Sequence, residues 1–174
     1  TCGCVTNIAE QEIIIDAFKR FKSIRPDCLL IIAPRHPERA DRMKILKDIL
    51  SDLQLNFIFR TEQSHELESN IDVLVLNTIG ELKRFYAIAD ICYVGVNHNI
   101  LEPLSFSRPT LITDGWNPQY PSFPVYQALK NTNAVKHTTQ KNAESISQLF
   151  KQLIEDQSVD RSQTIMTAIG SLQG

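Results

Sequence analysis

Three short polar segments of the sequence carry residues that could bind a phosphate or a sugar. The first, residues 33–39, contains Arg35, whose guanidinium presents a rigid fork of N–H donors that suits a phosphate. Pro34 and Pro37 flank Arg35 and stiffen the backbone around it. The alternative interpretation is that Arg35 and the other charged side chains of this segment are ordinary solvated loop residues.

The second segment, residues 77–82, combines Thr78, Gly80 and Glu81 at the start of a helical pattern. Thr78 could cap the helix, and Gly80, which has no side chain, would let a ligand approach the backbone. The free N–H groups of the first helical turn would point outward, where a phosphate or a base could dock. An ordinary capped helix start explains the same residues without any ligand.

The third segment, residues 97–102, follows an apolar run that ends at Gly95 and leads into a helix with Glu102 in its first turn. Ligands collect at such strand-to-helix loops because the free N–H groups and the helix dipole favour anionic groups. Glu102 could accept both hydroxyls of a ribose, or it could only complement the helix dipole. His98 is the weakest candidate in this segment, because most lone histidines bind no ligand.

Helices and strands alternate along the chain and would position these segments. Apolar residues at helical spacing predict the helices, and apolar runs predict the strands. Such alternation implies βαβ crossovers, so the predicted fold is α/β and Rossmann-like, a parallel sheet with helices on both faces. We therefore expect Arg35, Gly80 and Glu102 to converge on one open cleft at the sheet edge. The predicted helices span residues 10–24, 38–53, 81–89, 100–104, 125–129, 142–155 and 160–172, and the predicted strands span residues 28–33, 56–60, 72–76, 91–94, 109–112 and 134–136.

Length and composition favour one soluble domain. The chain has 174 residues, of which 43% are hydrophobic and 22% are charged, which suits a single core. Its net charge of −2 gives no basic field for nucleic acid, and no apolar run approaches the roughly 18 residues that a membrane span needs. The chain begins at Thr1 rather than at Met, which suggests a segment of a longer protein.

The cysteines argue against a metal site. Cys2 and Cys4 form the one close pair, and no histidine lies at a ligand-like spacing from them. Cys28 and Cys92 lie in apolar strand patterns, where a thiol behaves as a small hydrophobe. We therefore expect no metal ion and four reduced thiols, which fits a cytoplasmic compartment.

Four sequence blocks together resemble the carboxy-terminal domain of the 3-deoxy-D-manno-octulosonic acid (Kdo) transferases. They are PRHPER at 34–39, TIGEL followed by YA and AD within 78–90, YVG at 93–95 and HNILEP at 98–103. The combination is far more specific than any single block, and the resemblance covers residues 10–153.

The resemblance implies one half of a GT-B glycosyltransferase, which transfers Kdo from CMP-Kdo to lipid A precursor in lipopolysaccharide biosynthesis. In such enzymes the carboxy-terminal half binds the nucleotide sugar, whereas the amino-terminal half supplies the acceptor site and the catalytic carboxylate. The chain alone is then expected to be inactive, to need no cofactor, and to belong to a protein at the cytoplasmic face of the inner membrane. By matching motif position, the CMP-contacting residues would be Pro34, Arg35, Ile79, Gly80, Glu81, Asn99, Ile100, Leu101 and Glu102.

The sequence departs from the family pattern at three places. Gly95 passes to His98 through only two residues, where the family has a glycine-rich insertion. The Ser/Thr-His-x-Gly-Glu-Glu entry to the first helix is absent, and Asn77 replaces an aspartate. These departures leave alternatives open: a non-catalytic nucleotide-binding or interaction module with the same fold, or another nucleotide-sugar transferase or epimerase.

Overall fold

A parallel sheet of seven strands forms the centre of the computed structural model, which describes residues 1–156 and 162–172. The strands are β1 (Cys2–Val5), β2 (Leu30–Pro34), β3 (Phe57–Phe59), β4 (Val73–Val75), β5 (Cys92–Val94), β6 (Thr110–Thr113) and β7 (Lys136–Thr138). They are ordered β3-β4-β2-β1-β5-β6-β7, and every neighbouring pair is parallel. The chain therefore places β2, β3 and β4 on one side of β1, and then crosses from β4 to β5 on the other side of β1.

Helices connect the strands and cover both faces of the sheet. In chain order they are α1 (Ile8–Ile24), α2 (Ala40–Asp52), α3 (Leu82–Ile88), α4 (Leu101–Leu104), α5 (Phe123–Leu129), α6 (Ala143–Glu155) and α7 (Ser162–Leu172), with a 3₁₀ turn at Arg60–Glu62. Ile32 of β2 packs in one buried cluster with residues of α1, α2 and α6. The next residue, Ala33, packs on the opposite face against α3, because side chains alternate along a strand. The predicted α/β fold with helices on both faces is confirmed.

The first helix begins earlier than the sequence pattern indicated. Its first residue is Ile8, two residues before the predicted start. Oδ1 of Asn7 accepts hydrogen bonds from the backbone N–H groups of Ala9, at 2.8 Å, and of Glu10, at 3.4 Å. Asn7 is thus the capping residue that the sequence analysis did not identify.

Other element ends differ by one or two residues. The last strand lies at Lys136–Thr138 rather than at 134–136, because Ala134 and Val135 belong to the turn that precedes it. Both residues pack into the core cluster that includes residues of α5 and α7. Residues 160 and 161, the predicted start of the last helix, lie outside the described residues. Within the described ranges, no helix is long and apolar enough to cross a membrane.

Candidate functional site

An open cleft of about 1310 Å³ lies at the carboxyl edge of the sheet. Its walls come from the segments that follow β1, β2, β5 and β6, together with residues at the start of α6. This edge, beside the strand at which the chain changes direction, is where open α/β sheets bind their ligands. Four of the sequence-predicted residues line the cleft, namely Arg35, Asn99, Ile100 and Glu102.

The amino terminus of α1 forms part of the cleft wall. Thr6, Asn7 and Ala9 all line the cleft, and the helix behind them is 17 residues long. The helix dipole therefore places partial positive charge at the cleft, which favours an anionic group. Because Asn7 already accepts two N–H groups of the first turn, a ligand would meet the dipole rather than those two amides.

Arg35 is held by a relay of hydrogen bonds that joins three loops. Nη1 of Arg35 lies 3.2 Å from Nδ1 of His98, and Nε2 of His98 lies 2.9 Å from Oγ1 of Thr6. A guanidinium can only donate, so Nδ1 of His98 accepts, and the neutral ring donates its Nε2–H to Thr6. The relay connects the loops after β2, β5 and β1, and it gives His98 a role that the sequence alone did not indicate.

Protonation of His98 would break this relay. Burial, followed by the charges of Arg35 and His36, lowers the pKa of His98 from 6.5 to about 4. A pKa that is lower in the folded state adds stability that is fully present above the unfolded value of 6.5 and is lost as the pH falls through about 4. We therefore expect His98→Gln to flatten the fall in the free energy of unfolding over this pH interval.

Chemical denaturation of the wild type and of His98→Gln across this interval measures the effect. His65→Gln is the matched control, since His65 is an exposed loop histidine outside the cleft, and its profile should follow the wild type. If His98→Gln and the wild type lost stability in parallel on acidification, His98 would not be the titrating group.

Glu10 is a second polar anchor of the cleft, and the sequence analysis missed it. Its Oε1 accepts the hydroxyl of Tyr93 at 2.5 Å and the backbone N–H of Val96 at 3.2 Å. Burial raises the pKa of Glu10, and both hydrogen bonds and the charge of Lys141 oppose that rise. An acidic residue in a first helical turn looks ordinary in sequence, and its partner Tyr93 lies 83 positions away.

Glu102 lies in the first turn of α4, a helix of only four residues. It lines the cleft, and its carboxylate forms no hydrogen bond or ion pair with any described residue. Oδ1 of Asn99, which precedes the helix by two residues, accepts the backbone N–H of Leu101 at 3.1 Å. Ile100 is fully buried, whereas Leu101 packs against the core and does not line the cleft.

The segment 77–82 does not reach the cleft, contrary to the expectation that Gly80 would share it with Arg35 and Glu102. The physical reason is the strand order, since β4 pairs with β2 on the side away from β1. Thr78 does not cap α3; its hydroxyl donates to Oε2 of Glu81 at 2.5 Å.

Polar contacts hold this segment against the 3₁₀ turn. Oε1 of Glu81 accepts a hydrogen bond from Arg60 at 3.2 Å, and Asn77 exchanges two hydrogen bonds with Thr61. Ile79 is left 86% exposed beside Gly80, whose φ is 89°. The segment is therefore an exposed tip that follows β4, the strand next to β2 and its Arg35 loop. Pro34 closes β2 and does not line the cleft.

No three His, Cys, Asp or Glu side chains of the described residues come together as a metal site requires. The chemistry that the cleft offers is instead that of an anion site with a nearby carboxylate. Arg35 and the α1 terminus supply positive charge, and Glu102 supplies an acceptor for hydroxyl groups.

No family model matches the chain. Among curated proteins, the 3-deoxy-D-manno-octulosonic acid transferase of Haemophilus influenzae is 35% identical over 113 residues, which are 61% of this chain and 25% of that protein. The enzyme of the same name from Aquifex aeolicus is 37% identical over 108 residues, which are 59% of this chain and 28% of that protein. The chain thus spans about a quarter of the length of these relatives.

One solved structure has the same fold as this chain. It is the C-terminal CMP-Kdo binding domain of WaaA from Acinetobacter baumannii, which superposes with a TM-score of 0.77 at 23% identity and covers 99% of this chain and 88% of that one. These curated relatives share one name, which is that of the family suggested by the four sequence blocks. The resemblance of the sequence to the 3-deoxy-D-manno-octulosonic acid transferases is therefore confirmed over about three fifths of this chain.

Proposed function

We propose that the chain is the donor-binding domain of a glycosyltransferase that transfers Kdo from CMP-Kdo to lipid A precursor. One observation carries the proposal: Arg35 and Glu102, which come from two separate blocks of the family resemblance, line the same cleft as the amino terminus of α1. A nucleoside monophosphate needs hydrogen-bond donors and positive charge at its phosphate, which Arg35 and the helix dipole provide. It also needs an acceptor for its ribose hydroxyls, which the Glu102 carboxylate provides.

In this proposal the cleft binds the donor and stabilises the departing nucleotide. Negative charge grows on the CMP phosphate as the bond to the sugar breaks, and donors already aimed at that phosphate lower the barrier. Arg35 is held at its place by His98, so little reorganisation is needed when the charge develops. Glu102 accepts the ribose hydroxyls, and Asn99 and Ile100 shape the wall beside it.

Five of the residues that we expect to contact the donor do not line the cleft, and we propose a different kind of contact for them. Ile79, Gly80 and Glu81 form the exposed tip beside the Arg35 loop, and a flat base can lie on an apolar side chain next to a glycine. Pro34, the last residue of β2, and Leu101, the first residue of α4, contribute through the backbone next to Arg35 and Glu102.

This chain accounts for donor binding only, so the acceptor site and the catalytic carboxylate must lie elsewhere in a longer protein. We propose that this chain works as a carboxy-terminal half, with acceptor site and catalytic carboxylate in another domain, at the cytoplasmic face of the inner membrane. Its relatives are about four times as long as the matched region, which supports a second domain. Donor binding alone supplies no general base to an acceptor hydroxyl, so the 174-residue chain binds donor without transferring sugar.

Isothermal titration of the chain with CMP, UMP and UDP tests the donor assignment. We expect saturable binding of CMP and weaker binding of both uridine nucleotides. Preference for UDP would favour a different nucleotide-sugar enzyme, and absence of binding by all three would contradict the proposal.

Glu102→Gln separates the ribose role from a structural one. The substitution keeps the shape but replaces a charged acceptor by a neutral one, so CMP binding should weaken by about 1–2 kcal/mol, near tenfold. If Glu102 only complements the helix dipole, the cost should instead be about 0.3–1 kcal/mol of fold stability, with CMP affinity unchanged.

Glu144→Gln is the matched control for this prediction. Glu144 also lies in a first helical turn, that of α6, and does not line the cleft. Titration and melting of both variants should show weakened CMP binding for Glu102→Gln alone. Equal CMP affinity in both variants would return Glu102 to the structural role.

A further inference from the structure

A lysine outside the four sequence blocks of the family resemblance lines the cleft. Lys141 lies in the short connection between β7 and α6, directly before the capping residue Asn142. Its side chain lines the same cleft as Arg35 but enters from the other half of the sheet, beyond β1, β5 and β6. The cleft is therefore flanked by cations on two opposite sides.

Gly115 makes room for the Lys141 ammonium. A Cβ atom at position 115 would lie 2.3 Å from Nζ of Lys141, and the φ of Gly115 is 98°, which favours glycine. The ammonium thus rests on bare backbone at the end of β6. Any side chain at position 115 would have to displace it.

The Lys141 ammonium lacks a partner within the described part of the chain. It forms no hydrogen bond there and no ion pair within 4.0 Å, although its charge acts on Glu10. Oε1 of Glu10 is already taken by Tyr93 and by the Val96 N–H. A cation at a cleft wall that forms no ion pair with the described residues is available to an anionic ligand.

The proposed donor carries two anionic groups, and Arg35 accounts for one. A nucleotide monophosphate joined to a sugar acid has a phosphate and a carboxylate, and the relatives are named for such an acid. We propose that Lys141 forms a second anion subsite, which binds the carboxylate of the donor's sugar acid. This proposal rests on the proposed function and adds to it the determinant that distinguishes acidic from neutral sugars.

Comparing CMP with CMP-Kdo separates this subsite from the nucleotide site. CMP lacks the sugar carboxylate, so Lys141→Gln should leave CMP affinity within about twofold of the wild type and weaken CMP-Kdo binding about fivefold to tenfold. Lys141→Arg keeps the charge and should restore most of the CMP-Kdo affinity.

Lys47→Gln is the matched control, because it removes the same charge from an exposed lysine of α2 outside the cleft. It should leave the affinities for both ligands unchanged. Calorimetric titration of freshly prepared ligands, with melting curves for every variant, gives the comparison.

The outcomes are distinct. Selective loss of CMP-Kdo binding in Lys141→Gln supports the subsite. Equal weakening of CMP and CMP-Kdo binding would overturn the subsite, because Lys141 would then act only through its general charge or through Glu10. Unchanged CMP-Kdo affinity would also overturn it. A wild-type chain that binds neither ligand would overturn the proposed function itself, and the subsite with it.

Discussion

Replacing Arg35 by leucine is expected to weaken CMP binding by about 2–3 kcal/mol, roughly 30- to 150-fold. Leucine removes the charged, forked donor that we assign to the phosphate. Arg35→Lys keeps a charge but loses the fork, so its affinity should fall between those of the wild type and Arg35→Leu. Calorimetric titration with CMP measures all three.

Arg39→Leu is the control for this prediction. Arg39 follows in the same loop, pairs with Asp41 at 2.8 Å and does not line the cleft. Its loss should therefore leave CMP affinity near the wild-type value. Comparable weakening in Arg39→Leu and Arg35→Leu would mean that the loop acts through its net charge and that Arg35 has no specific contact with the phosphate.

Gly3→Ala should lower the free energy of unfolding by about 1–3 kcal/mol, because it overpacks the centre of the sheet. Gly3 is buried in β1, and a Cβ atom there would lie 1.7 Å from the Tyr86 hydroxyl and 2.6 Å from Cζ of that ring. The Tyr86 side chain also lines the cleft, so the same clash should disturb the site.

A double-mutant cycle identifies the clash as the cause. Tyr86→Phe removes the nearest atom, so Gly3→Ala should cost less in the Tyr86→Phe background than in the wild type. Gly170→Ala is the control, because a Cβ atom at position 170 of α7 meets nothing within 4 Å. That change should stabilise the helix by up to about 1 kcal/mol. Strictly additive costs for Gly3→Ala and Tyr86→Phe in chemical denaturation would contradict the account.

Residue types and local patterns were enough to predict the fold class and part of the site. Strand and helix periods are local, so the α/β alternation could be recognised without any contact information. Arg35 and Glu102 could be chosen because each follows a strand, and loops after parallel strands lie at one edge.

Strand order and long-range hydrogen bonds could not be predicted in this way. Nothing local indicates that β4 lies beyond β2, and this placement is what separates Gly80 from the cleft. The partner of Glu10 is 83 positions away, and that of Arg35 is 63 positions away. Such pairs arise from the packing of distant segments, so composition and spacing give no sign of them.

His98 shows how the two kinds of information combine. The sequence block that contains it pointed to the third loop, but a lone histidine has many roles. Only the positions of Arg35 and Thr6, at 3.2 Å and 2.9 Å from its two ring nitrogens, assign it the task of holding the arginine.

A crystal structure of the 174-residue chain with CMP is the most direct test of the central claim, that the cleft beside β1 binds the donor nucleotide. We expect a phosphate oxygen at hydrogen-bond distance, about 3 Å, from the Arg35 guanidinium, and ribose hydroxyls at the same distance from the Glu102 carboxylate. CMP bound elsewhere on the chain, with Arg35 still paired only to His98 and Glu102 in water, would contradict it.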